Sequence, residues 1–306
     1  MKSFLKKLRK CVTEPERVLL FFLGKETIAR LFPDKLYLKI KYRLVMKKKL
    51  NLKNPQTFNE KLQWLKLYDR NPEYTKMVDK YEVRKYIAKK IGEEYLIPLL
   101  GVWDNPDDVD FDKLPDQFVL KCTHNSGLGM CICKDKSELD IAKVKKELEK
   151  GLKQNYYLHG REWPYKNVKP RIIAEKYMED RNGNFIDYKF FCFKGFAHSV
   201  MVCIDRNIGD TKFYFFDKNW DLLRLNKRGK NAPNGFSLPK PEHINEMFDM
   251  ASMLSKEMSY SRIDLYEVDG KIYFGEITFF PDSGFDANLL AETDDLLGNL
   301  LDLEGV

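Results

Sequence analysis

The sequence predicts an α+β protein in which most strands are connected in antiparallel fashion. Helix-like segments dominate residues 1–94, whereas short apolar strands follow one another in pairs from residue 95 onward. The chain has 306 residues, of which 43% are hydrophobic and 32% charged. These values are typical of a globular protein with one large domain or two ordinary ones.

The N-terminal region is predicted to be basic and helical. Residues 1–50 contain 15 Lys or Arg and 4 Asp or Glu, a net charge of +11, whereas the whole chain carries +7. The positive charge therefore belongs to this region and does not predict a nucleic-acid-binding surface. Phe4, Leu5 and Leu8 among lysines indicate an amphipathic helix. Such a helix either contacts an anionic membrane or packs on the body of the protein.

The N-terminal region and the cysteines indicate the cellular location, because neither shows the pattern of a secreted or membrane-spanning protein. The apolar run VLLFFLG is far shorter than the roughly 20 residues that span a bilayer. Charged residues interrupt any signal-peptide pattern, and the six cysteines show no disulfide-framework spacing. We therefore expect a cytoplasmic protein that can contact the inner face of the membrane through its basic N-terminal arm.

Two helices are expected between residues 54 and 92. The first begins with Thr57 and has Glu60 three residues later, which is a capping-box pattern. The second, EYTKMVDKYEVRKYIAKKIG, is expected to continue without a break to Gly92.

Strands predominate in the rest of the chain, and two helices separate them. YLIPLLGVWD is expected to be a buried strand, and SELDIAKVKKELEKGL a helix capped by Ser137. KPEHINEMFDMASMLSKEM is expected to be a long helix, whereas FYFFDKNWDLLRL and SRIDLYEVDGKIYFGEITFF are expected to be hairpins.

The stretch LKCTHNSGLGMCICKD, residues 120–135, contains four residues of metal-ligating types. Structural zinc sites usually space paired cysteines by two to four residues, but one residue separates Cys131 from Cys133. On a strand, this spacing places both side chains on the same face, as expected for packing. Packing is therefore favoured over zinc binding, and His124 has no assigned role.

The same stretch also has the pattern strand, glycine-containing turn, strand. Gly127 and Gly129 would let backbone N–H groups converge on an anion, and Lys121 precedes the turn on its strand. The pattern of a P-loop is absent. A turn that covers phosphates is one interpretation, although many hairpins contain two glycines.

A second group of polar residues lies on the last hairpin. Arg262, Asp264, Glu276 and Thr278 interrupt otherwise apolar strands, and two carboxylates on one face could hold Mg²⁺ together with phosphate oxygens. A plain two-residue turn at Asp269-Gly270 would place the two carboxylates on opposite faces. The metal hypothesis therefore predicts a three-residue loop, or a bulge in one strand that also places both carboxylates on the same face.

A third group lies on two further strands. Glu175 and Lys176 end the apolar segment IIAEK, and Asp187 and Lys189 lie two residues apart on the next strand. The latter two therefore share a face. A carboxylate there could accept hydrogen bonds from ribose hydroxyls, and a lysine could bind phosphate.

The order of these elements resembles the ATP-grasp superfamily. More narrowly, the segments NPQTFNEKLQWLKLYDR, YEVRKYI, YLIPLLGVWD and FGEITFFPDSGF are similar to the TupA-like, teichuronopeptide-biosynthesis branch. The resemblance extends from about residue 35 to near the C-terminus. It implies two α+β subdomains whose antiparallel sheets clamp ATP, preceded by a helical basic N-terminal region. We expect the boundaries to be 1–94, 95–175 and 176–306.

The resemblance also implies a reaction, with ATP and Mg²⁺ as cofactors. ATP would phosphorylate a carboxylate, and an amine would attack the acylphosphate. The branch suggests a glycan or uronic-acid carboxylate and an amino acid as substrates, within cell-envelope polysaccharide biosynthesis. No residue in this chain selects either substrate.

Site residues follow from the same resemblance. Lys121, Gly127, Gly129 and Lys189 would meet the phosphates. Glu175, Lys176 and the Met178 backbone would meet adenine, and Asp187 would meet ribose. Asp264, Glu276 and Thr278 would bind Mg²⁺, and Arg262 would steady the acylphosphate.

Two departures from the superfamily pattern affect this assignment. Thr278 replaces the usual asparagine, which puts a second Mg²⁺ in doubt, and Asp187 is shorter than the usual glutamate. A glycosyltransferase is the alternative function, because some members of the branch carry that label. Asp110-x-Asp112 could hold the metal of a nucleotide sugar, but the segment is more typical of a solvated connector. A non-catalytic adaptor is a third possibility, which the retained Lys121, Asp264 and Glu276 argue against.

Overall fold

A computed structural model describes residues 15–179, 186–205 and 210–305. Phe4, Leu5 and Leu8 of the predicted amphipathic helix lie outside the described residues. The first part of the described chain is helical, and its elements are α1 (Pro15–Leu23), α2 (Glu26–Ala29), α3 (Asp34–Met46), α4 (Phe58–Tyr68), α5 (Glu73–Val78) and α6 (Val83–Lys90).

The predicted capping box at the start of α4 is confirmed. The Thr57 side chain accepts a hydrogen bond from the Glu60 backbone N–H, and the Glu60 carboxylate accepts one from the Thr57 backbone N–H. The prediction of one uninterrupted helix to Gly92 is wrong. Residues 79–82 separate α5 from α6, because the Asp79 carboxylate accepts a hydrogen bond from the Tyr81 N–H at 2.8 Å and forms a local turn.

The first sheet has four strands, β1 (Leu99–Trp103), β2 (Phe118–Cys122), β3 (Met130–Cys133) and β4 (Ile172–Lys176). Their order is β1-β4-β2-β3, and each neighbouring pair is antiparallel. The prediction of a buried strand in YLIPLLGVWD is wrong, because β1 is an edge strand and Leu100 is exposed. An edge strand has only one hydrogen-bonded neighbour.

One face of this sheet packs against α7 (Ile141–Leu152). Its apolar core contains Phe118, Leu120, Leu148 and Ile172. Asp140 caps α7 by accepting a hydrogen bond from the Lys143 N–H. The predicted cap at Ser137 is wrong, since that residue lies in a preceding 3₁₀ turn.

The second sheet has six strands, β5 (Asp187–Phe193), β6 (Phe196–Ile204), β7 (Lys212–Phe216), β8 (Leu222–Leu223), β9 (Ser261–Val268) and β10 (Lys271–Thr278). Their order is β10-β9-β5-β6-β7-β8, and both predicted hairpins, β7–β8 and β9–β10, are present. The long helix α10 (Ile244–Ser255) packs in the main core with this sheet, as do α4, α5 and α6. The predicted limits of the three regions stay a prediction.

The remaining helices are short or lie near the C-terminus. They are α8 (Tyr157–Gly160), α9 (Lys227–Lys230) and α11 (Ala291–Leu300). Among the described residues, no helix combines the length and apolar character needed to cross a bilayer.

The β9–β10 hairpin decides whether its two carboxylates share a face. Asp269 and Gly270, both with positive φ, form a two-residue turn, so the predicted three-residue loop is wrong. The register shifts at Gly275, and Glu276 then pairs with Asp264. The alternative form of the prediction, a bulge that places both carboxylates on the same face, is therefore confirmed.

We predict that Gly298→Ala destabilises the protein where α11 crosses the start of α4. A methyl group at this position would lie 2.3 Å from the Gln56 carbonyl oxygen and 2.9 Å from the Phe58 nitrogen. Both are backbone atoms, so we expect a loss of about 1–3 kcal/mol in unfolding free energy. Thermal and urea unfolding would measure it. Exposed Asn299→Ala on the same helix is the control, and equal stability of the two variants would contradict the prediction.

Candidate functional site

A cavity of about 510 Å³ lies between the two sheets and is called the cleft below. The four-stranded sheet and its turn contribute Lys121, Ser126, Gly127 and Met130. The six-stranded sheet contributes Asp187, Lys189, Met201, Phe213, Phe215, Arg262 and Glu276. The remaining lining residues are Lys80, Asn226, Asp282, Asp286 and Asn288. The cleft thus brings together six of the predicted site residues from both halves of the fold.

Cations dominate the surroundings of Glu276. Burial alone would raise the pKa of this carboxyl, but Lys80, Arg262, Lys189 and Lys121 lower it to about 2. Glu276 is therefore ionised throughout the neutral pH range. The same four cations surround the space in which an anionic ligand would lie.

An ion pair with Glu175 holds Lys121 in place. Its ammonium pairs with the Glu175 carboxylate at 2.6 Å, and Arg84 of α6 contacts the same carboxylate at 3.4 Å. Arg84 also donates to the Ile97 carbonyl at 2.9 Å. Glu175 is only 6% exposed and does not line the cleft, so in this structure it positions Lys121.

The two glycines of the turn have different surroundings. Gly127 lines the cleft with φ +83°, and an added Cβ would meet no atom within 4 Å. Gly129 lies against α7, where a Cβ would be 2.6 Å from the Cys122 sulfur and 2.8 Å from the Gly151 Cα. Gly127 is therefore the glycine placed to approach a ligand, and Gly129 allows close packing of the turn.

The cysteines of this stretch serve packing, as the spacing predicts. Cys133 is buried in the α7 core, Cys131 packs against that core, and Cys122 contacts the Leu148 carbonyl. His124 is 4% exposed and is not a cleft residue. Burial lowers its pKa, which favours the neutral imidazole.

A buried ion cluster connects β5 with β9. Arg262 donates to both oxygens of Asp264, at 2.7 and 2.8 Å, and Lys189 donates to one of them. Lys189 also lies 3.3 Å from Asp187. Burial opposes the charge on Arg262, but Asp264 and Glu276 raise its pKa, so the guanidinium stays charged.

The predicted metal ligands differ in their availability. Arg262 and Thr278 both contact Oε1 of Glu276, at 3.1 and 3.2 Å, and Glu276 faces the cleft. Asp264 is 1% exposed, and both of its oxygens already bond to Arg262. Glu276 therefore fits a divalent cation that accompanies phosphates, whereas Asp264 fits one only after Arg262 changes its contacts.

Sequence reasoning did not assign roles to several cleft residues. The sequence predicts Lys80 inside a continuous helix, but the residue lies at the break between α5 and α6. Its backbone N–H donates to the Thr123 carbonyl and its ammonium to the Asn125 carbonyl at 2.5 Å. Burial lowers the pKa of Lys80, although Glu276 partly offsets the effect. The helix-breaking contact of Asp79 is not visible in the apolar periodicity.

Asp282 and Asp286 also have no role in the sequence-based assignment. The segment Pro281-Asp282-Ser283-Gly284 is turn-like in composition and directly follows β10, and this pattern is the only indication of the turn in the sequence. Asp282 and Ser283 both adopt left-handed backbone conformations, with φ of 48° and 51°. Non-glycine residues rarely adopt this conformation, so neighbouring contacts must hold the turn.

Those contacts come from α4 and from the segment that follows α8. Lys66 of α4 is 1% exposed and donates to the Ser283 carbonyl at 2.5 Å and to the Gly160 carbonyl at 2.7 Å. The Ser283 hydroxyl donates to the buried Glu162 carboxylate at 2.5 Å. Burial lowers the pKa of Lys66 and raises that of Glu162, and each group opposes the shift of the other.

Some predicted residues lie outside the cleft. Lys176 pairs with Phe118 on the face opposite Lys121, so only its backbone could meet a nucleotide in the cleft. Met178 follows β4 and is partly exposed. Asp110 pairs with Lys113 at 2.8 Å, and neither Asp110 nor Asp112 lines the cleft. The Asp-x-Asp feature of the glycosyltransferase alternative is therefore not at this site.

Comparison with known families identifies the chain. A family model described as TupA-like ATPgrasp matches residues 60–302. The chain belongs to the TupA-like ATP-grasp family. The predicted family, the ATP-grasp fold and the ATP-grasp class of enzyme are thereby confirmed. No curated protein matches the sequence.

Solved ATP-grasp ligases are similar to this chain at low identity. D-alanine–D-alanine ligase from Bacillus anthracis complexed with ATP is 19% identical, with a TM-score of 0.44, over 74% of this chain and 63% of that chain. The Helicobacter pylori enzyme is 16% identical, with a TM-score of 0.43, over 81% and 69%. The ligase PsnB with Mg and ADP is 10% identical, with a TM-score of 0.43, over 79% and 64%. The chain thus spans less than two thirds of the Bacillus anthracis ligase, and the family assignment rests on the family model.

We predict that the two turn glycines tolerate alanine differently. Both substitutions force a left-handed alanine, which costs about 1–2 kcal/mol. Gly129→Ala adds overlap with Cys122 and with the Gly151 backbone, so we expect it to lower the melting temperature clearly more than Gly127→Ala. Differential scanning calorimetry of both variants measures this. Equal melting temperatures would show that Gly129 does not pack as described.

Proposed function

We propose that the protein is an ATP-dependent ligase that joins a carboxylate to an amine. The observation that carries the proposal is the cleft, where two antiparallel sheets bring Lys80, Lys121, Lys189 and Arg262 around an ionised Glu276. This arrangement suits a triphosphate, because several cations can neutralise charge that moves between phosphate oxygens.

The proposed reaction has two displacements. A substrate carboxylate oxygen attacks the γ-phosphorus, the bond to the β-phosphate oxygen breaks, and ADP leaves. The amine nitrogen then attacks the acyl carbon, phosphate departs, and the nitrogen loses a proton. Arg262 would bind the acylphosphate and the tetrahedral species that follows, since its charge is maintained by buried Asp264.

Nucleotide contacts are proposed as follows. Lys121, Lys80 and Lys189 would bind phosphates, and Gly127 would bring its backbone N–H close to them. Asp187 would accept hydrogen bonds from ribose. Adenine would meet the backbone near Lys176 and Met178, and Glu175 would contribute by holding Lys121.

Magnesium is proposed as the accompanying metal. Glu276 would hold it, with Thr278 beside the same carboxylate, and Asp264 would join after Arg262 turns toward the acylphosphate. The ion would supply charge neutralisation to the phosphate oxygens.

Two further carboxylates of the cleft suit the amine. Asp282 and Asp286 both line the cleft, and either carboxylate could pair with an ammonium group. Burial and the neighbouring Asp282 raise the pKa of Asp286 to about 6. Asp286 would therefore bind an ammonium well at neutral pH and lose this ability as the pH falls through 6.

The carboxylate substrate is proposed to be carried by a glycan, such as a uronic acid of the cell envelope. A second cavity of about 540 Å³ shares Phe213, Asn226 and Asn288 with the cleft, which supports a route for a long substrate. It also contains Lys227 and Arg228, which could bind further carboxylates. We propose a cytoplasmic location, where ATP is available, and peripheral contact of the basic N-terminal region with the membrane.

Product analysis tests the function. Incubating the protein with Mg-ATP or sugar nucleotides, uronate oligosaccharides and amino acids should release ADP and phosphate only when both a carboxylate and an amine are present. Hydroxylamine should trap the acylphosphate as a hydroxamate. Release of UDP from a sugar nucleotide, with no turnover of ATP, would overturn the proposal.

We predict that Glu276→Gln abolishes ATP turnover and leaves the fold intact. The amide keeps an acceptor for Arg262 and Thr278 but lacks the charge that holds the metal. Turnover assays and circular dichroism measure the two effects, with exposed Glu292→Gln as the control. Turnover at the wild-type rate would remove Glu276 from the metal site.

We predict that Asp282→Asn lowers the pKa of Asp286. Burial is the largest cause of the raised Asp286 pKa, and the negative charge of Asp282 is the next largest. Removal of that charge should therefore lower the pKa. Carboxyl-carbon NMR titration of aspartate-labelled protein would measure the Asp286 pKa in the wild type and in the variant. Exposed Asp295→Asn is the control. A wild-type pKa of Asp286 near 4, or no change in the variant, would contradict the coupling.

A further inference from the structure

The helices at the start of the described chain expose a group of large apolar side chains. Leu31 is 78% exposed and Phe21 is 60% exposed. With their neighbours they form what we call the apolar tip, which consists of Leu19, Phe21, Phe22, Leu31 and Leu36. Five of the 14 exposed large hydrophobic residues of the described chain lie in this segment of 18 residues, so the exposure is concentrated rather than scattered.

The chain path brings these residues to one end of the helical layer. Glu16 at the start of α1 pairs with Lys47 just after α3, so α1 and α3 run antiparallel. The end of α1, the short α2 and the start of α3 therefore lie together. Leu23, Ala29, Tyr37 and Leu38 point inward and form the core of this layer.

From Val18 onward, α1 lacks the polar face of an ordinary surface helix. Its sequence from Val18 to Leu23 is VLLFFL, yet Leu19, Phe21 and Phe22 are each about half exposed or more. A helix that is apolar on all sides is normally covered. Leu23 of the same helix is buried, whereas the described residues leave Leu19, Phe21 and Phe22 exposed.

The charge around the apolar tip is positive. Lys25, Arg30, Lys35 and Lys39 are exposed there, and the Lys25 ammonium lies 4.5 Å from the Phe21 ring centroid. The three carboxylates of residues 15–50 are each already paired: Glu16 with Lys47, Glu26 with the Asn155 N–H and with Arg30 of the tip itself, and Asp34 with the Tyr157 hydroxyl. The net charge at the tip is still positive. An occupant of this surface should therefore be both apolar and anionic.

We infer that the apolar tip inserts into the interface of an anionic lipid bilayer. Phe21, Phe22 and Leu31 enter the boundary between headgroups and acyl chains, and the surrounding lysines and arginines contact anionic headgroups. This deepens the proposed peripheral contact, since it assigns the contact to residues 19–36 rather than to a basic arm. It does not depend on the ligase reaction.

The tip is joined rigidly to the body of the protein. Arg161, which is 3% exposed, donates to the Ala29 and Phe32 carbonyls at 2.5 and 3.2 Å. Tyr37 and Lys41 of α3 donate to the His159 carbonyl at 3.0 and 2.5 Å. The neighbouring Gly160 carbonyl accepts from Lys66, which supports the turn at Asp282 and Ser283. A bilayer bound at the tip would therefore set the orientation of the cleft relative to the membrane.

Vesicle co-sedimentation of the full chain tests the inference. We expect binding to vesicles of phosphatidylcholine and phosphatidylglycerol at 7:3, and weak binding to phosphatidylcholine alone. The variant Phe21→Ser/Phe22→Ser/Leu31→Ser should bind anionic vesicles more than about tenfold more weakly. Lys25→Ser/Arg30→Ser/Lys35→Ser should lose the preference for anionic lipid and its salt dependence.

Two controls separate the tip from other surfaces. Phe196→Ser/Met253→Ser changes two exposed apolar residues elsewhere and should bind as the wild type does. Phe4→Ser/Leu5→Ser/Leu8→Ser should retain most of the binding, and a loss equal to that of the tip variant would overturn the assignment. Circular dichroism and Mg-ADP affinity should be unchanged in all variants, which separates this result from any failure of the ligase proposal.

Two further outcomes would also overturn the inference. One is a wild-type chain that does not bind anionic vesicles. The other is concentration-dependent dimerisation, by sedimentation velocity, that the tip substitutions abolish while vesicle binding persists. In that case a second copy of the chain, rather than lipid, covers the tip.

Discussion

The buried carboxylate of Asp264 is the constraint on which the site depends. An ionised group that is 1% exposed needs partners, and Arg262 and Lys189 supply them from β9 and β5. The Lys189 contact requires the observed register of β5 and β9, because a shift of one residue would move Lys189 to the other face. The bulge at Gly275 completes the arrangement by bringing Glu276 beside the same cluster.

The N-terminal helices are part of the site rather than an addition to it. The break between α5 and α6 places Lys80 in the cleft, Arg84 of α6 holds the ion pair behind Lys121, and Lys66 of α4 supports the turn at Asp282. Each half of the cleft therefore depends on a helix that precedes both sheets in the chain. The active geometry needs folding of the helical region as well as of the sheets.

Much of this arrangement could be predicted from the sequence where local patterns decide it. The capping box at Thr57 and the alternation of polar residues on β5, β9 and β10 depend on neighbours in the chain, and both are present. Lys80, Asp286 and the support of Ser283 by Lys66 depend on contacts across more than a hundred residues or on a short turn that interrupts a helical pattern. The sequence indicates Glu175 as a site residue, but its contacts with Lys121 and Arg84 depend on strand pairing and helix packing that local patterns do not show.

The left-handed pair Asp282-Ser283 also limits how this enzyme could change during evolution or engineering. β-branched residues are strongly disfavoured at such positions, whereas asparagine, aspartate and glycine are accepted. Variation at position 282 is therefore restricted to a few small side chains, most of them polar, and a bulkier substitution would require a new backbone path. New specificity in the cleft would arise more readily at exposed Asn288, where the backbone imposes no such restriction.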